Sequence, residues 1–165
     1  MIANLLLLLT AAIWGFGFVA QVLGMNYLEP FAFIGARFVL GALSLLPVIW
    51  YLQRQEITAG PGIGYLIYAS CVLGTILFAA SSFQQVGLLY TTASNAGFIT
   101  GMYMVFVPIF GLMLGMATGL VTWLGCIVAA TGLFMLGVND RYEMGYGDLL
   151  QLAGAGIWAA HILAI

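Results

Sequence analysis

Apolar residues run through this chain in long stretches, and polar residues gather in short clusters between them. A bilayer core about 30 Å thick is crossed by roughly 20 helical residues, each rising about 1.5 Å. The apolar runs match that length. The first extends from about Asn4 to Leu23 and stops before Met25-Asn26-Tyr27-Leu28-Glu29-Pro30. The second runs from about Phe31 to Tyr51, ahead of Gln53-Arg54-Gln55-Glu56. After the turn Thr58 to Gly62, the third reaches about Leu89. A link at Thr91-Thr92-Ala93 opens the fourth, about Ser94 to Leu114, and the fifth spans about Leu120 to Val138. Asn139 to Gly147 is the longest polar segment, and a sixth run leads from Asp148 to Ile165. Helices are predicted throughout, because open strands in lipid leave backbone groups unpaired and barrel strands alternate polar with apolar residues. The fold class is therefore an all-α polytopic transmembrane helical bundle.

Composition agrees. Of 165 residues, 64% are hydrophobic and 5% charged, against about 25% charged in a soluble globular chain. Mean hydropathy is +1.16. A soluble enzyme, a nucleic-acid binder and a disordered chain are excluded, and the lipid bilayer is the first expected partner. There is no lysine, and the three arginines stand far apart, so no basic patch exists for phosphates. Cys71 and Cys126 lie inside apolar runs without a ligand spacing, which reads as small buried filler. No metal site and no cofactor are expected. The N-terminal run lacks a positive leader and reads as a retained first span. Arg54 and Arg141 fall on opposite sides in either topology, so charge does not orient the bundle.

An internal repeat carries the domain reading. An offset of 144 residues places Trp14 on Trp158 and aligns LLLLLTAAIWGFGFVAQ with LLQLAGAGIWAAHILAI, with seven of 17 positions identical. The shared core is Ala-x-Ile-Trp. A repeat unit of five spans forces its second copy into the opposite orientation, an inverted-topology repeat of the kind found in transporters. Residues 1–146 are then a first five-helix repeat, and 147–165 the first helix of a second. On this reading the chain is about half of a longer protein.

These residues resemble the drug/metabolite transporter superfamily and, within it, the EamA-type permeases. The resemblance rests on Ala12-Ile13-Trp14-Gly15, on Ala36-Arg37-Phe38, on TTASNAGFITGMYMVFVPIF from Thr91 to Phe110, and on GDLLQLAGAGIWA from Gly147 to Ala159. It implies ten helices in two inverted repeats, cytoplasmic termini, residence in the cell membrane, and export or facilitated passage of amino acids, metabolites or drugs by alternating access. A small-molecule substrate is thus the second expected partner, and self-association has room beside it. The rival reading is a non-transporting helical membrane subunit or assembly factor.

Candidate residues follow from polarity within the spans. Arg37 is the only charge inside one, which makes it a structural anchor snorkelling toward Pro30 or a functional group acting on substrate or gate. Trp14 sits mid-span, where the interfacial belt does not explain it, so it walls a cavity or packs between helices. Its repeat partner Trp158 takes a structural or gating role. Ser81, Ser82, Gln84 and Gln85 close span three, and Ser94 and Asn95 open span four; these are interhelical glue or hydrogen-bonding groups for solute. Thr100 and Tyr103 share a face about 140° from Asn95. Substrate contact is expected at Trp14, Gln85, Asn95, Thr100 and Tyr103. Pro108 and Pro47 free a carbonyl by removing a helix donor, so Pro108 is a further structural or gating position. His161 stands alone, without a carboxylate or cysteine to make a catalytic or metal unit, and no enzyme motif accompanies it. Glu29, Glu56, Asp140 and Glu143 lie in links and Asp148 at the start of the sixth run, which predicts no carboxylate proton relay and favours neutral or zwitterionic solutes.

Overall fold

The computed structural model describes residues 2–53, 62–137 and 145–165. It is helical, with no strand among the described residues. The elements are α1 (Ile2–Gly24), α2 (Pro30–Gln53), α3 (Ile63–Gly87), α4 (Ala93–Gly101), α5 (Tyr103–Met113), α6 (Leu120–Gly137) and α7 (Tyr146–Ala164). Four stretches are long and apolar enough to cross a membrane: Ile2–Gly24, Pro30–Leu52, Ile63–Gly87 and Ala93–Met113. The polar clusters at 54–57 and 139–144 lie outside the described residues.

The expected fourth span is one stretch divided at Met102. There the Met102 N–H bonds Ile99 O at 3.1 Å, an i−3 contact that tightens the turn. Gly101 lowers helix propensity just before this turn, and Pro108 removes a donor just after it. The orphan that Pro108 creates is the carbonyl of Met104, four residues back. Cys126 on α6 donates its S–H to that carbonyl at 3.3 Å. Cys126 is therefore a hydrogen-bond donor and not mere filler. Cys71, expected to be buried, is exposed on α3.

α7 is the centre of the bundle, packing most extensively on α3 and then on α5 and α4. This explains its composition, which is less apolar than the other spans. Gly147, Gly154, Ala155 and Ala159 are buried and let neighbouring backbones approach, while Gln151 and His161 are polar groups shielded from lipid. α3 and α7 run antiparallel and approach each other closely. A Cβ at Gly147 would meet Gly87 O at 2.8 Å, and one at Gly154 would meet Phe83 Cβ at 3.3 Å. α4 and α5 run parallel to α7, with Thr100 at Gln151 and Phe110 beside Ala160.

By contrast, α1 buries only Gln21, and Leu5 to Leu9 are all exposed. Such a surface suits a chain whose solvent is lipid. At the start of α7, Asp148 accepts from the Gly145 N–H at 3.0 Å and from the Thr91 hydroxyl, tying the helix entry to the α3–α4 link. The carboxylate near the positive helix end adds a favourable charge–dipole term. Tyr90 and Tyr146 stack edge-to-face over the same junction at 5.3 Å.

Candidate solute cavity

Polar side chains inside the bundle divide into two groups, one satisfied and one not. The satisfied group is a closed ring of three. Gln84 Nε2 donates to Thr100 Oγ1 at 3.4 Å, Thr100 donates to Gln151 Oε1 at 3.1 Å, and Gln151 Nε2 donates to Gln84 O at 2.8 Å. It joins α3, α4 and α7, and all three residues are buried. The second group has no hydrogen-bond partner among the described residues: Gln21 Oε1, Ser81 Oγ, both amide atoms of Gln85, Trp158 Nε1 and His161 Nδ1. An unpaired polar group removed from water costs on the order of 1–3 kcal/mol in proteins, and more in hydrocarbon.

Three residues of that unpaired group meet at one place. A cavity of about 350 Å³ is lined by Trp14, Gly17 and Gln21 of α1, Arg37 of α2, Ser81 and Gln84 of α3, and Trp158 of α7, among others. Its volume lies in the range that holds a small organic molecule, about 300–1,000 Å³. Trp14 and Trp158 touch, their ring centroids 5.9 Å apart and tilted by 57°. The pair related by the sequence offset is thus one aromatic wall. Gly15 and Gly17 stand near Trp14, and a Cβ added at either would meet nothing within 4 Å. Arg37 is half-buried, its guanidinium 5.5 Å from the centre of the Phe38 ring, which also lines the cavity. Arg37 has no ion pair among the described residues.

The structure brings Trp14, Arg37 and Trp158 together but sets the other expected residues elsewhere. Gln85 is fully buried one turn from Ser81 and outside the lining. Thr100 sits behind the cavity, reaching it only through its bond to Gln84. Asn95 lines an open depression at the start of α4 with Thr91, Thr92 and Asp148, where Thr92 caps the helix by accepting from the Asn95 N–H at 3.2 Å. Tyr103 is half-buried at the start of α5 and outside the cavity lining. Pro108 is buried in α5 and acts on Met104 rather than on the cavity.

One polar cavity contributor, Gln21, does not stand out in the sequence, whereas Ser81 belongs to the polar cluster that closes the third run. Gln21 is an isolated amide near the end of an apolar run, and Ser81 stands among three polar neighbours of different roles; Ser82 turns back to bond Phe78 O at 2.8 Å. Gln151 is equally inconspicuous. Isolated glutamines inside apolar runs are the signal that points to both amides.

A bundle of apolar helices with a partly polar, aromatic-walled interior defines a multi-pass membrane protein. Its relationships are more particular. The chain belongs to the EamA-like transporter family, which it matches over residues 1–138. It is 33% identical over 175 residues to a protein of Archaeoglobus fulgidus described as an uncharacterized transporter, covering 99% of this chain and 48% of that protein. A second protein of the same organism and description is 29% identical over 165 residues, covering 96% of this chain and 55% of its own. The chain thus spans about half the length of the curated relatives it matches. No solved structure matches it significantly.

Proposed function

We propose that this chain is the first half of a cell-membrane carrier for small organic solutes bearing a carboxylate, amino acids among them, and that the solute binds in the Trp14–Trp158 cavity. The observation that carries the reading is that Gln21, Ser81 and Trp158, each holding a buried polar atom without a partner among the described residues, line one space walled by two indoles. Polar groups retained unpaired in a membrane interior need a recurrent partner, and a solute that enters and leaves supplies one. Arg37 meets the carboxylate, Gln21 and Ser81 bond the remaining polar atoms, and the indoles cover the apolar part.

The exchange between the two sides is alternating access between inverted five-helix repeats, with residues 1–146 as the first and α7 opening the second. Membership of a transporter family and the half-length coverage of two relatives named as transporters support this arrangement. So does the contact of Trp14 with Trp158, since equivalent helices of inverted repeats meet near the bilayer midplane.

The test is counterflow of an amino-acid panel by the full-length protein in proteoliposomes. Trp14→Ala and Arg37→Gln are expected to lower the rate roughly tenfold or more, about 1.4 kcal/mol of lost binding, with membrane expression retained. Wild-type vesicles that exchange no member of the panel faster than empty ones would refute the proposal.

A further inference from the structure

His161 is the only histidine in the chain and lies within α7, the bundle's central helix. It is 9% exposed, and its Nδ1 is sealed without a hydrogen-bond partner among the described residues. Its ring stands edge-to-face against Trp158, with centroids 6.0 Å apart at 88°. Trp158 is in turn half of the cavity wall. Packing alone does not ask for an imidazole here, because a phenylalanine fills such a position without an orphaned nitrogen. Imidazole is also the side chain whose ordinary titration falls near neutral pH. We infer that His161 is a proton-binding site of the carrier, linked to the solute cavity through the indole of Trp158. This rests on the cavity being the solute site.

The charges around His161 give the linkage its sign. α3, α4 and α5 pack on α7, and α1 touches it through Trp14. α1 and α4 carry no titratable side chain. On α3, Tyr65, Tyr68 and Cys71 are exposed on the outer surface. On α5, Tyr103 lies near the level of Thr100 and Gln151, and so about two turns from His161 along the parallel pair. On α7 itself, Tyr146 and Asp148 are at the far end, about 20 Å away along the axis. That leaves Arg37, across the shared cavity, as the fixed charge that the Trp158 region meets. A proton on His161 adds a second cation to this region, which an empty cavity disfavours. A solute carboxylate offsets both cations. Proton and carboxylate therefore favour each other's binding, and the effect is reciprocal. The proton enters on a ring nitrogen as the solute binds and leaves as the solute departs, so the two move in the same direction.

Two measurements on the full-length protein test this. The first follows the imidazole NMR signals of histidine-labelled protein in lipid nanodiscs across pH, with His161 identified by the signal lost in His161→Gln. A pH-dependent His161 signal is expected, one that Trp158→Phe and L-phenylalanine both alter and that phenethylamine, which lacks the carboxylate, leaves unchanged. The second is L-phenylalanine counterflow between about pH 5 and 8, where the wild-type rate is expected to vary by roughly threefold or more and that of His161→Gln to be flat. A His161 signal that does not titrate, or that ignores both Trp158→Phe and L-phenylalanine, overturns the inference. So does a His161→Gln protein with the wild-type pH profile. Should His161→Gln fail to reconstitute, His161→Phe keeps the ring packing, and the comparison of wild type with Trp158→Phe needs no change at His161. Absence of wild-type counterflow at every pH, beside a titrating and Trp158-sensitive His161, defeats the carrier reading while supporting the proton site.

Discussion

The close backbone contact between α3 and α7 offers a quantitative test of the packing. Gly147 of α7 lies so close to the end of α3 that an added Cβ would stand 2.7 Å from Tyr90 C, 2.8 Å from Gly87 O and 2.8 Å from Tyr90 Cβ. Ordinary contact begins near 3.4 Å, so the helices must separate by about 0.7 Å at this point to admit one methyl group. Two of the three obstructing atoms are backbone, and no side-chain rotation relieves them. Separation also stretches the 2.8 Å bond from Gln151 Nε2 to Gln84 O, one turn away. Gly147→Ala is therefore expected to destabilise the protein by about 1–3 kcal/mol, the usual range for an overpacked core, with a roughly 5- to 150-fold drop in the folded-to-unfolded ratio. Gly156→Ala on the same helix is the control, because a Cβ there meets nothing within 4 Å and the better helix propensity of alanine acts alone. The measurement is thermal or denaturant unfolding of both variants in detergent, read by loss of the monodisperse gel-filtration peak. Equal stability of the two variants would refute the close α3–α7 approach.

Thr100→Val keeps the shape of the side chain but leaves Gln151 Oε1 without its donor, so a loss of about 1–2 kcal/mol is expected in the same assay. Thr75→Val should cost far less, since Thr75 is exposed and bonds only its own helix at Cys71 O. Cys126→Ala is expected to cost about 0.5–1 kcal/mol in the wild type and clearly less in a Pro108→Ala background, where the backbone N–H restored by the substitution competes for Met104 O. An equal cost in both backgrounds would show that Cys126 acts through volume and not through its S–H.

The helices were legible because runs of about 20 apolar residues admit one structure in lipid, and each run predicted in the chain is helical over nearly all of its described length. The break at Met102 was not legible. It depends on a local balance between Gly101, Pro108 and the α6 donor Cys126, which lies 22 residues beyond Met104. The cavity was partly legible. Arg37 announced itself by charge and Trp14 by its depth, and the repeat offset joined Trp14 to Trp158. The amides were harder. Gln84 and Gln85 are adjacent in sequence, yet one completes a ring with α4 and α7 and the other is buried with both amide atoms unpaired. A step of about 100° between neighbours sends them to different surroundings, and nothing in the sequence says which helix stands on which side.

That division between paired and unpaired polar groups is the strongest argument for a site. If polar residues were present only to hold helices together, each would be matched, as in the ring of Gln84, Thr100 and Gln151 that fastens α7 to α3 and α4. Gln21, Ser81 and Trp158, which carry the unmatched atoms, line the cavity together with Gln84, and Gln84 also belongs to the ring. The ring fixes the amide of Gln84 and the helix that carries Trp158, so the cavity wall on that side is held rigidly. The opposite wall comes from α1, which buries only Gln21 and leaves most of its length exposed. A rigid wall facing a weakly anchored one is what a site needs if it is to open, because movement of α1 carries Trp14 and Gln21 away without breaking the α3–α4–α7 ring.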